Sequence, residues 1–269
     1  MRKRVMTMTG IATLAAWLAL PTLMLAQMPA QQTGAAKRSA SVSADPHDLS
    51  GMWEFFNSLP GQGIYATPSK DAPPMTPWAK AKYDEARPGY GPKAQAGGND
   101  PILKCYPSGI PRILFFPQPF EIVQAPDRVF MFFEREHEFR QIWTDGRAHP
   151  KDVEPTWMGD SIGKWDGDTF VVDTIGLTEK SWLDFYGDPH SEDVHLVERY
   201  KRTDGNSLTL QLIVEDPKAY TKTWVGDIKT YKLLTGKKAY MEELPCIADE
   251  EDAFTNKIRI PAATPKSNK

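Results

Sequence analysis

The sequence predicts an all-β protein, an antiparallel meander closing into a calycin- or lipocalin-like barrel, with a β-sandwich as the alternative. Three observations carry this reading. From Phe120 onward, seven short segments rich in β-branched and aromatic residues follow one another, each bounded by turn residues. Three Asp-Gly pairs (Asp145-Gly146, Asp166-Gly167 and Asp204-Gly205) punctuate the pattern, and Asp-Gly favours the positive φ of tight hairpin turns. No alternation of strand and helix patterns appears, which argues against a parallel sheet.

Along the chain, residues 1–26 have the layout of a signal peptide. Arg2, Lys3 and Arg4 precede an apolar run interrupted by Pro21 and ending in small residues, too short for a membrane span, with cleavage expected after Ala26 or Ala30. Residues 27–48 lack periodicity and read as a flexible tether, 49–262 as one domain, and 263–269 as a disordered tail. Structure is expected to begin at DLSGMWEFF. One helix is expected from about 76 to 87: Thr76 suits the N-cap, Pro77 the first turn, and WAKAKYDEA supplies helix formers up to Pro88. The Pro- and Gly-rich stretch that follows, as far as Pro119, is expected to wrap the outside of the fold. The strands are then FEIVQA, RVFMFFE, EFRQIWT, DTFVVDTIG, VHLVERYKR, SLTLQLIVE and TWVGDIKTYKLL, with a further turn at Ala125-Pro126-Asp127.

The faces of the strands favour a barrel. In SLTLQLIVE, Leu208, Leu210, Leu212 and Val214 share one face, opposite Thr209, Gln211 and Glu215. In VHLVERYKR, His195, Val197 and Arg199 lie on one face and Leu196, Glu198 and Tyr200 on the other. Polar residues on both faces suit a curved sheet around a partly polar cavity.

The chain has 269 residues, 41% of them hydrophobic and 25% charged, a globular composition. Removing residues 1–26, with three basic and no acidic residues, takes the net charge from −3 to −3 − 3 = −6. That balance disfavours nucleic acid as a partner, and no membrane span is expected after cleavage. Export to the periplasm or beyond would place Cys105 and Cys246 where thiols oxidise, so one long-range disulfide is expected, tying the irregular outer segment to the last strand.

Two resemblances bear on this reading. Gly51-Met52-Trp53 resembles the G-x-W start of lipocalins. The runs CYPSGIPR, FEIVQAPDRVFMFFEREHEFRQIWTDGRAHP, IGKWDGDTFVVDTIG, WLDFYGDPHSEDVHLVERY and EDPKAYTKTW resemble a large family of uncharacterised secreted bacterial proteins, over most of residues 100–225. Members usually read TKPW where this chain has Thr223 in place of the proline. The resemblance implies secretion and company, not a reaction.

Candidate chemistry concentrates between Trp182 and Arg199. His190, His195 and Asp184 form an acid–base set, since histidine titrates near neutral pH and a neighbouring carboxylate fixes its tautomer. The expectation is that both histidines face one pocket, with Asp184 orienting one ring. Trp182, Tyr186, His137, Arg140, Arg199 and Trp157 are the expected substrate contacts: aromatic walls, a second imidazole, and guanidinium groups able to hold an anion. The competing reading of Arg140 is a cross-strand ion pair with Glu134 or Glu138. No cofactor is expected. A metal on His190 and His195, completed by Glu192, Asp193 or His137, is the lesser alternative, because H-x4-H matches no established zinc spacing. G-x-S-x-G, Walker and dinucleotide motifs do not occur. Two functions remain: an acid–base lyase, isomerase or hydrolase acting on a small sugar-like or aromatic substrate in a barrel cavity, or a non-catalytic binder of such a ligand.

Overall fold

The computed structural model describes residue 43 and residues 45–56, 67–89 and 93–260. The expected signal peptide, most of the tether and the C-terminal tail lie outside the described residues. Among the described residues no helix is long and apolar enough to cross a membrane.

Ten strands form one sheet: β1 (Gly51–Phe55), β2 (Phe120–Gln124), β3 (Arg128–Phe133), β4 (Phe139–Trp143), β5 (Asp160–Asp166), β6 (Thr169–Ile175), β7 (His195–Asp204), β8 (Ser207–Glu215), β9 (Trp224–Val225) and β10 (Lys229–Leu234). From β1 to β9 they neighbour one another in sequence order, and β10 pairs with both β1 and β8, closing nine strands into a barrel. The two-residue β9 extends the same edge of β8. Closure leaves few backbone groups on open edges.

Three of the four expected turns are hairpins. Ala125-Pro126-Asp127 joins β2 to β3, Gly167 at φ +56° joins β5 to β6, and the Asp204-Gly205 turn joins β7 to β8. Asp145-Gly146 differs. Gly146 does turn the chain, at φ +82°, but into the long connection 144–159, after which β5 runs parallel to β4. The meander therefore contains one parallel pair, which a connection of that length permits. The expected strand TWVGDIKTYKLL is two strands. Gly226 breaks it where a Cβ would come within 2.9 Å of the Pro68 carbonyl and 3.0 Å of that of Leu212.

The helix α1 (Pro77–Glu85) has the expected cap, with the Thr76 hydroxyl accepting from the Ala79 amide. A second helix, α2 (Ala248–Phe254), was not expected. It follows Cys246, whose disulfide to Cys105 bridges 141 positions. The disulfide thus ties the outer segment to the approach to α2 rather than to the last strand. The tether also ends earlier than expected: the His47 ring stacks on Trp165 at 4.3 Å, and the His47 carbonyl accepts from the Gln124 side chain.

Inward-facing residues fill the barrel. Trp53, Phe120, Met131, Tyr200, Leu210 and Tyr231 are each at most 2% exposed, and Phe115 packs among them from the 3-10 turn Arg112–Phe115. Side chains so enclosed touch no water-sized space, so this part of the lumen is core rather than the cavity the sequence suggested.

Candidate functional site

Alternation along β4 and β7 points Arg140 and Glu198 into the barrel, 1% and 0% exposed on their side chains. The guanidinium donates to both carboxylate oxygens at 2.8 and 2.7 Å and also to Ser161 and Thr174, while Tyr200 donates to Glu198 at 2.7 Å. Arg140 is therefore neither a ligand anchor nor a partner of Glu134 or Glu138. Burial opposes its charge, but the Glu198 carboxylate more than compensates and its pKa is raised. Burial and the same carboxylate push the Tyr200 hydroxyl well above its ordinary value. The network is a satisfied polar core.

His190 and His195 engage separate partners. His190 is 1% exposed in the connection between β6 and β7. Its Nδ1 meets the Ser191 carbonyl at 2.9 Å and its Nε2 the Ser181 hydroxyl at 2.8 Å. Burial lowers its pKa, and the Ser181 hydroxyl that meets Nε2 also donates to the Thr178 carbonyl at 3.1 Å. Ser181 is only 2% exposed. The spacing is that of a nucleophile and base, but the enclosure makes the pair a structural knot.

His195 lies on the outer face of β7, opposite to the buried Leu196. Its Nδ1 meets Glu215 on β8 at 2.9 Å, and its Nε2 meets Oδ1 of Asp173 on β6 at 2.8 Å. The same Asp173 oxygen is met by Nε2 of His149 at 3.1 Å, and Nδ1 of His149 meets Asp160 on β5 at 2.5 Å. Asp160, Asp173, His195 and Glu215 thus form a row across the outside of β5–β8, with His149 laid over them from the 144–159 connection. The two rings are only partly covered, with side-chain exposures of 16% and 33%. Burial works against a charged His195, but the Glu215 hydrogen bond and the Asp173 carboxylate outweigh it and raise its pKa. A neutral imidazole carries one N–H. Each ring meets a carboxylate at both nitrogens, and the two rings share the Asp173 oxygen.

Asp184 does not orient either histidine. Its Oδ1 accepts three backbone amides, those of Tyr186, Gly187 and Asp188, at 2.9–3.0 Å. Burial and the Asp184 charge push the Asp188 carboxyl well above the usual carboxylate range, and burial raises Asp184 as well. Asp188 and Tyr186 line a cavity between α1 and residues 67–75.

The remaining expected contacts are dispersed. Arg199 donates to Asp166 on the outer surface at 3.0 Å. His137, in the β3–β4 turn at φ +53°, accepts from the Leu244 amide. Trp157 stacks on Tyr106 at 5.7 Å, and the Arg112 guanidinium lies over Trp182 at 5.4 Å. His190, His195, Glu192, Asp193 and His137 do not assemble as a metal site, and no group of three such side chains suited to a metal occurs among the described residues. His149, Asp160, Asp173 and Glu215 escaped the sequence reading. Alternation placed Glu215 on the polar face of its strand, but nothing in the sequence brings a residue from the β4–β5 connection onto that face. Comparison with protein-family models, curated proteins and solved structures finds no match.

Proposed function

We propose that the protein is an exported acid–base enzyme, a lyase, isomerase or hydrolase needing no organic cofactor, whose reaction centre is the outer His149–Asp173–His195 cluster. One observation supports this above the others: each imidazole is held from behind by a carboxylate while its Nε2 reaches a shared oxygen of Asp173, whose side chain is 40% exposed. That arrangement gives two rings of fixed orientation, and a substrate that displaces an Nε2 from Asp173 meets a ring able to exchange a proton with it. The substrate approaches from outside the barrel. The disulfide fits an oxidising compartment.

The test is a turnover screen of purified protein against small glycosides, lactones and aromatic esters, repeated with His195→Gln. Turnover reduced about 10²-fold or more in the variant is expected from loss of general acid–base catalysis. Absence of turnover across the screen, or a variant as active as the wild type, would contradict the proposal.

A further inference from the structure

A second site lies apart from the histidine cluster. The cavity beside α1 has a volume of about 500 Å³. Asp188, 3% exposed, supplies its acid; Tyr83 and Tyr186 give aromatic walls, and Pro73 and Met75 give apolar ones. Behind Asp188 stands Asp184, whose Oδ1 accepts three backbone amides. Burial and the Asp184 charge raise the Asp188 carboxyl well above the usual carboxylate range, so a cation seated against it competes with its proton. We infer that this cavity binds a small organic ammonium whose charged group meets the Asp188 carboxylate and whose apolar part lies against Tyr83 and Tyr186.

The surroundings suit a cation. Lys93 already places its ammonium over the Tyr83 ring, 3.4 Å from the centroid, where burial lowers its pKa. The Tyr83 hydroxyl is raised by burial and by the charges of Asp188, Asp184 and Asp84. Of the charged groups lining the cavity, Lys80 is paired with Asp84, and Lys70 and Asp71 stand side by side in sequence. Tyr220, packed behind the turn, donates its hydroxyl to the Pro189 carbonyl and is raised by burial and the same aspartates. When the ammonium enters, the Asp188 proton leaves to solvent: that carboxyl goes from 0 to −1, the ligand adds +1, and the charge at the cavity is unchanged.

Calorimetry with phenethylamine tests this on the full-length protein. The expected result is binding with proton release, seen as a buffer-dependent heat, and an affinity that rises at least tenfold from pH 5 to pH 7.5. Asp188→Asn, which keeps the shape of the protonated acid, should weaken binding at least tenfold while the melting temperature holds. Asp173→Asn should bind as the wild type does, which separates this site from the proposed reaction centre. No binding by the wild type, undiminished binding by Asp188→Asn, or equal binding of the uncharged 2-phenylethanol would overturn the inference.

Discussion

His190 and His195 are five positions apart in sequence, yet their surroundings set opposite behaviour. His190 is enclosed and neutral, so protonation must break its fit. Its folded pKa is lowered, so the unfolded chain takes up the proton first. Its contribution to stability is therefore complete above the ordinary histidine value of about 6.5 and is lost as the pH falls through it. His195 has a raised pKa, so its contribution is complete below about 6.5 and is lost as the pH rises through its folded value. Melting curves at pH 5.5 and 8 should show this: His190→Ala removes more stability at pH 8, His195→Ala more at pH 5.5. At the same scale, Glu198→Gln leaves the buried Arg140 charge without its partner and should cost about 3–5 kcal/mol in urea unfolding. A loss below about 1 kcal/mol would show that the network is dispensable.

Among the elements, those specified by local chemistry were legible. The α1 cap was readable from Thr76 and Pro77, and the β5–β6 and β7–β8 hairpins from their Asp-Gly pairs. Asp145-Gly146 carries the same local signal, but the strand that follows joins by a non-local pairing that no turn residue encodes. The candidate site was less legible for a related reason: Asp173 and Glu215 are ordinary outward residues of regular strands until His149 is folded over them. The disulfide was readable from the cysteine count, though not the helix beside it. Reduction, or Cys105→Ser with Cys246→Ser, should remove up to about 5 kcal/mol on the chain-entropy account of so long a loop. Urea unfolding with and without reductant measures it. Within β5, Gly163 accommodates the Phe170 ring, which a Cβ would approach to 2.4 Å. Gly163→Val is expected to destabilise the barrel by about 1–3 kcal/mol through overpacking, as thermal melting would register.

Across the whole molecule, the filled barrel acts as a scaffold, and the proposed reaction centre lies on its outer face. The Arg140–Glu198 network and the aromatic core fix β4–β8, and those strands in turn hold Asp160, Asp173, His195 and Glu215 in one row. The most direct measurement of the central claim is the pH profile of kcat/KM for wild type and Asp173→Asn, on a substrate found by the screen and at matched folding. The account expects a bell-shaped wild-type profile and a loss of about 10²-fold or more in the variant, with little change in melting temperature. An unchanged rate and profile in Asp173→Asn would contradict it.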